Sequence, residues 1–210
     1  QWSSSAASDV YKRQDKYFYE FGLKKKEKLS QLHDIYEYYN SKINLISRKD
    51  FENFYLHHVI HSLTLCKFIE NKKLNILDLG TGGGFPGIPL SIFFEKNSFL
   101  LVDSISKKIK VLNQITKKLN LNNVQTLNGR VEEVNDKHDI IVCRAVASIP
   151  NIINWTKKCT KKGSVILLLK GGDVEKELKN IHMKNKIFKL ENIYSEDFFI
   201  DKKIIKIEVD

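Results

Sequence analysis

The stretch NILDLGTGGGFPG, Asn75 to Gly87, decides the fold. Its first five residues, Asn75 to Leu79, form a short apolar run of the kind that makes a strand buried on both faces. Five glycines then fall within the eight residues 80–87, far more than a tight turn without a ligand needs. Gly80, Gly82 and Gly84 remove the side chains that would hold backbone N–H groups away from a ligand, and they allow positive φ. A proline at Pro86 suits the first turn of a helix. Strand, glycine turn and helix together predict a cradle for a nucleotide-like ligand. Asp103, 23 residues after Gly80 and at the end of the next apolar run, supplies a carboxylate able to accept both hydroxyls of an adenosine ribose.

Two registers compete for the ligand's identity. Gly82-x-Gly84-x-x-Gly87 satisfies a dinucleotide pattern, which keeps a nicotinamide-dependent oxidoreductase in play, but it starts three residues beyond the strand and its last glycine lies past Pro86. Asp78-x-Gly80-x-Gly82-x-Gly84 is in register with the strand end, and Asp78 adds an acid for the ammonium of S-adenosyl-L-methionine, directly or through water. The second register is favoured. No Gly-Lys-Ser/Thr follows the glycines, so a P-loop is excluded.

The same alternation continues down the chain. Ser98–Val102, Val124–Leu127, Asp139–Cys143 and Ser164–Leu169 read as further buried strands. Helical stretches are expected over Pro86–Glu95, Ile105–Asn120, Pro150–Cys159 and Asp173–His182, with a short turn near Glu132. Strands alternating with helices of this length predict a doubly wound, mostly parallel α/β sheet. Two last β-prone runs, Ile187–Tyr194 and Lys203–Val209, have no helix between them and predict an antiparallel hairpin at a sheet edge. That is the arrangement of class I, Rossmann-like methyltransferases. Upstream, Leu29, Leu32, Ile35, Tyr36, Tyr39 and Ile43 mark one amphipathic helix. Phe51, Phe54, Tyr55, Val59, Leu63, Cys66 and Ile69 mark a second, with Asp50 as its N-cap. The expected organisation is an N-terminal helical region, 15–73, ahead of a methyltransferase domain, 74–210. Residues 1–14, rich in Ser and Ala and without apolar period, are expected to be a disordered extension or a sequence scar.

Composition narrows the partners. The 210 residues carry 35 basic and 25 acidic side chains, a net charge of +10, which favours a polyanionic partner through counterion release. Only Arg13, Arg48, Arg130 and Arg144 are arginines, so each raises the question of a required bidentate donor. Three widely spaced cysteines, Cys66, Cys143 and Cys159, encode neither a disulfide framework nor a zinc knuckle. No apolar run is long enough to span a membrane, and no secretory leader is evident, so a cytoplasmic location is expected.

In an open α/β sheet the ligand crevice lies at the carboxyl ends of the strands. That rim gathers Asp78, Asp103, Arg130, Arg144 and Lys170. Burying Arg130 or Arg144 unpaired is costly, so each needs a ligand anion or an internal acid such as Glu132, Glu133 or Asp103. No Asn/Asp-Pro-Pro-aromatic run follows the fourth strand, so the usual device for an exocyclic amine is missing. Cys143 at that strand end reads as a buried structural thiol. His57, His58 and His61 lie on one helix but lack a carboxylate pattern for a metal, and no metal is expected.

Taken together, NILDLGTGGGFPGIPL from Asn75, LVDSISKKIKVL from Leu101, GRVEEV from Gly129, CRAVASI from Cys143 and LLKGG from Leu168 resemble the RsmG, or GidB, family of bacterial 16S ribosomal RNA guanine-N7 methyltransferases. INLISRKD and HHVIHSL resemble the family's N-terminal elements, with His57 and His61 standing where the family often has Arg and Asp. The resemblance implies cofactor contacts from Gly80 and Phe85, a ribose contact from Asp103, and adenine-side contacts from Val131 and Glu132. It further implies a cofactor or active-site contact from Arg144, and substrate-facing roles for Arg130 and Lys170. The implied partner is 16S rRNA or the small ribosomal subunit, met by a monomer. Guanine N7 has a free lone pair, so no general base is required, and positioning and desolvation carry the rate. Arg130 and Lys170 are then expected to bind phosphate or orient O6, and Arg144 to anchor cofactor or RNA backbone. A non-catalytic RNA-binding module on the same fold is the remaining alternative.

Overall fold

The computed structural model describes residues 22–210; the expected extension, 1–14, lies outside the described residues. Two short helices, α1 (Leu23–Ser30) and α2 (Leu32–Asn40), stand where one amphipathic helix is expected, with a break at Gln31. The second expected helix is not a continuous α-helix either. It runs through a 3-10 turn (Phe51–Asn53), a π-helical stretch (Tyr55–Ile60), one α turn (His61–Leu63) and another 3-10 segment (Thr64–Phe68). Asp50 does not cap it: no side-chain capping hydrogen bond forms, and the carboxylate turns to His57 and His58 instead.

Among the described residues the sheet has seven strands: β1 (Asn75–Leu79), β2 (Ser98–Asp103), β3 (Val124–Asn128), β4 (His138–Arg144), β5 (Thr160–Gly171), β6 (Asn185–Lys189) and β7 (Lys202–Glu208). Their order is β3-β2-β1-β4-β5-β7-β6. The first five are parallel, and β7 runs antiparallel between β5 and β6. The terminal hairpin is therefore as expected, but its first arm is shorter, ending at Lys189 before a 3-10 turn, Leu190–Asn192. The crossovers are α3 (Gly87–Phe93), α4 (Ser106–Lys118) and α5 (Ile149–Thr156). A single helical turn, α6 (Glu175–Leu178), replaces the helix expected over Asp173–His182. At the free edge β3 is mostly exposed rather than buried, because only one side of it is paired.

Period-two alternation divides the core between the two faces of the sheet. Ile76, Leu167, Leu169 and Ile204 join a cluster with α3, α4 and the N-terminal helices. Leu77, Leu79, Ile166, Leu168, Ile205 and Ile207 face α5 with Val131, Ile149 and Ile152. Leu29, Leu32, Tyr36, Phe54, Val59 and Leu63 are thus built into the same apolar cluster as the sheet. The strand order reverses between β1 and β4, which creates the crevice where such sheets bind ligands.

Candidate functional site

A cleft of about 300 Å³ opens at that reversal point, on the carboxyl ends of the strands. Gly80 and Gly82 form one wall, Asp103 and Ile105 another, and Arg130, Val131 and Glu132 a third. Arg144, Val146 and Trp155 close the remaining side. A hollow of about 490 Å³ at the opposite rim, around Asn75 and His138, receives none of the glycine-turn residues. The crevice rule for open α/β sheets selects the carboxyl-end cleft despite its smaller volume.

The glycine turn is held open from below. Gly80 and Gly82 adopt φ of +62° and +58°, and the amide of Gly82 donates to Asp103 Oδ2 at 2.8 Å. Asp103 Oδ1 accepts the Ile105 amide, also at 2.8 Å, so the carboxylate is fixed between the two loops it joins. An ionised carboxylate has about four acceptor positions, which leaves two for a diol. Gly84 lies away from the cleft: its φ is +93°, and a Cβ there would meet Ile88, Leu112 and the Tyr36 hydroxyl at under 3.0 Å. Its glycine serves packing rather than ligand approach.

Asp78 is fully buried beneath the turn. Its Oδ2 accepts from Thr81 Oγ1 at 2.7 Å and the Gly87 amide at 2.8 Å, while Oδ1 has no hydrogen-bond partner among the described residues. Burial pushes its pKa up to about 7 against the pull of those two hydrogen bonds. Asp78 is not a wall of the cleft; it buttresses the turn and keeps one unsatisfied acceptor.

The three basic candidates separate. Arg130 is exposed on the cleft, with no ion-pair partner among the described residues. Arg144 is half-buried, reaches the cleft and meets no carboxylate at ion-pair distance among those residues. Its Nη1 donates to the His57 carbonyl at 3.1 Å, its Nη2 lies 3.0 Å from His58 Nδ1, and its guanidinium sits 5.3 Å from the centre of the Phe85 ring. Lys170 turns away. Its ammonium is held by Glu177 at 2.7 Å and the Ala147 carbonyl at 3.0 Å, which makes it a tie between β5 and α6 rather than a substrate contact.

Phe85 is also buried, in an aromatic cluster with Tyr36, Phe54 and His58, so it supports the turn from behind. Tyr36 donates to the Gly83 carbonyl at 2.6 Å. This link between α2 and the glycine turn was not expected, since in the sequence Tyr36 is one apolar position among six. Ile105, Val146 and Trp155 are likewise additions. Ile105 and Val146 are large apolar side chains left exposed on the cleft, and their positions just beyond the ends of β2 and β4 are the signal that marks them.

His57, His58 and His61 do not assemble a metal site: His57 stacks on Phe198, His58 meets Asp50 and Arg144, and His61 packs against Phe198 and Phe199. Cys143 is buried in β4, and burial pushes its thiol up to about 12, which rules it out as a nucleophile.

Sheet order, glycine turn and the carboxylate at the end of β2 define a class I, Rossmann-like methyltransferase. Solved structures agree on the fold: a SAM-dependent methyltransferase from Aquifex aeolicus (TM-score 0.56, 16% identity, covering 74% of this chain and 92% of that one) and M. jannaschii TYW2 in complex with AdoMet (TM-score 0.56, 16% identity, 71% and 74%). The family model described as "GidB: rRNA small subunit methyltransferase G" matches residues 25–200, and the chain belongs to that family. Relatives named ribosomal RNA small subunit methyltransferase G include those of Christiangramia forsetii, 47% identical over 85% of this chain and 87% of its own, and Phocaeicola vulgatus, 41% identical over 92% and 96%. Among the described residues, no helix is long and apolar enough to cross a membrane.

Proposed function

We propose that this chain transfers the methyl group of S-adenosylmethionine to N7 of a guanine in 16S ribosomal RNA, with the cofactor held in the carboxyl-end cleft. The observation that carries the reading is the Asp103 carboxylate fixed between Gly82 and Ile105 at the cleft wall, with acceptor positions to spare. The residues present fit the group. Gly80 and Gly82 offer backbone without side chains, Asp103 suits the ribose, and Val131, Glu132 and Ile105 suit the adenine side. Arg144 suits the carboxylate, while Asp78, fully buried and outside the cleft lining, supports the turn rather than the ligand. The group supplies a sulfonium-bound methyl carbon, which the N7 lone pair displaces from sulfur with no proton to remove.

The chain's own residues then have to position and to exclude water. Ile105, Val146 and Trp155 make part of the cleft wall apolar, beside the polar Asp103, Arg130, Glu132 and Arg144, which suits a reaction carried by positioning rather than by proton transfer. Arg130, exposed and unpaired among the described residues, is the side chain suited to RNA phosphate or guanine O6. A guanidinium laid flat on the purine would oppose the positive charge that methylation creates, so Arg130 acts at the edge. The oxidoreductase reading is left with Gly84 and Gly87 for its pattern, and both are packed against protein.

Nucleoside mass spectrometry of 16S rRNA tests the reading. Deleting the gene should remove one 7-methylguanosine, and a plasmid copy should restore it. Persistence of the full 7-methylguanosine content after deletion would sink the assignment. A thermal shift on S-adenosylhomocysteine and none on NAD is expected of the purified protein.

A further inference from the structure

Arg144 is a half-buried cation whose orientation is set by no carboxylate at ion-pair distance among the described residues. Of the five N–H donors of a guanidinium, one on Nη1 goes to the His57 carbonyl and one on Nη2 to His58 Nδ1. Arginine has nothing to accept with, so His58 Nδ1 must present its lone pair and the ring proton must sit on Nε2. Nε2 lies 2.7 Å from Asp50 Oδ2, near the carboxylate but without a geometrically formed hydrogen bond to it. The other oxygen, Oδ1, pairs with His57 Nδ1, and the His57 ring is stacked on Phe198 at 4.0 Å. Asp50 thus grips two successive histidines of the π-helical stretch, and both of them face Arg144, one through its carbonyl and one through its ring. A π-helical stretch departs from the usual α spacing of neighbouring side chains and is frequent at functional sites.

We propose that Asp50 and His58 are positioning residues for Arg144, so that the 50–58 segment of the N-terminal region aims this guanidinium into the cofactor cleft. The proposal rests on the reading of Arg144 as a cofactor contact. Two further observations support it. Burial and the charge of Arg144 press the pKa of His58 down to about 4, which keeps the ring neutral and able to accept. The Phe85 ring, 5.3 Å from the guanidinium and 5.3 Å from the His58 ring, packs against both from behind the glycine turn. With the lone pair of His58 lost, Arg144 would keep the His57 carbonyl alone and could rotate out of line with a ligand carboxylate.

The test is calorimetric binding of S-adenosylhomocysteine to the full chain, with thermal melting as a check on folding. His58→Phe keeps the ring's bulk and loses the acceptor, and is expected to weaken binding about tenfold, in line with a lost hydrogen bond to a charged group. His58→Asn places an amide oxygen near the Nδ1 position and should recover most of that loss. In an Arg144→Ala background, His58→Phe should cost no further affinity. Asp50→Ala, at a site with 37% of the side chain exposed and so tolerant in folding, should weaken binding in the same direction and serves if His58→Phe fails to fold. Wild-type affinity in both His58→Phe and Asp50→Ala, with Arg144→Ala weakened, would overturn the positioning role alone. An equal loss from His58→Phe with or without Arg144 would overturn it as well. Unaltered binding by Arg144→Ala would overturn both the proposal and the reading beneath it.

Discussion

Asp103 lies at the cleft wall with one oxygen receiving the Gly82 amide and the other the Ile105 amide, and under the proposed function its remaining acceptor positions go to the ribose diol. Asp103→Ala should therefore weaken S-adenosylhomocysteine binding by at least about tenfold, since it removes the diol acceptor and frees both loops. Calorimetry decides this, and unchanged affinity would remove the ribose role. Arg130 and Lys170 separate by the same kind of bookkeeping of partners. Arg130 has none among the described residues, so Arg130→Ala should lower rRNA methylation and leave the urea midpoint where it was. Lys170 is half of a half-buried pair with Glu177 and also donates to the Ala147 carbonyl, so Lys170→Met should cost about 1–2 kcal/mol of stability in urea unfolding and leave cofactor affinity alone. The sequence places both at strand ends, Lys170 on the weaker ground because lysine is so common in the chain. What it could not contain was Glu177, seven positions on, turning back over β5 and claiming the ammonium.

The glycine turn works because α2 holds it. Tyr36 donates to the Gly83 carbonyl at 2.6 Å, and Asn40, at the end of the same helix, ties the amides of Leu45 and Ile46. The Leu45 carbonyl then lies only 3.1 Å from where a Gly83 Cβ would stand. Tyr36→Phe should thus cost about 1–2 kcal/mol in urea unfolding, the usual price of a buried acceptor left without its donor, and should lower S-adenosylhomocysteine affinity as the turn loosens. Unaltered affinity would show that the turn is rigid without α2. The central parallel strands were readable because each is a short apolar run buried on both faces, which the mostly exposed β3 is not, and the glycines and Asp103 because their spacing follows from strand ends. The N-terminal elements were readable only as helical. Apolar positions such as Phe51, Phe54, Tyr55 and Val59 satisfy an α pattern, whereas the π-helical stretch that contains Val59 is set by tertiary partners, among them Asp50 and Arg144. Gly84 and Phe85, expected at the cofactor, instead lie outside the cleft lining, because their neighbours, Tyr36 and the Arg144 guanidinium, come from distant parts of the chain.

Across the whole molecule the N-terminal helices and the sheet share one core, so protonation of a group buried between them acts on global stability. His61 is such a group. Burial, and then the charges of Arg144 and Lys202, bring its pKa down to about 3, whereas in the unfolded chain it returns to its ordinary value near 6.5. As the pH falls below about 6.5 the unfolded chain takes up a proton that the folded chain refuses, so stability is lost progressively as the pH falls toward about 3. Between about pH 7.5 and pH 5 the loss from this one residue is about 2 kcal/mol. Asp78 acts in the opposite sense: with a folded pKa of about 7, it binds a proton more readily folded than unfolded, and acidification over the same range relieves its burial. The wild-type curve alone mixes the two signs. The difference from His61→Leu isolates one of them, since leucine fills the space beside Phe198 and Phe199 without titrating. Urea unfolding at a series of pH values should show the wild type losing about 2 kcal/mol more than His61→Leu on acidification to about pH 5. Parallel curves for the two proteins would mean that His61 takes up its proton while folded, and that the core around it admits water.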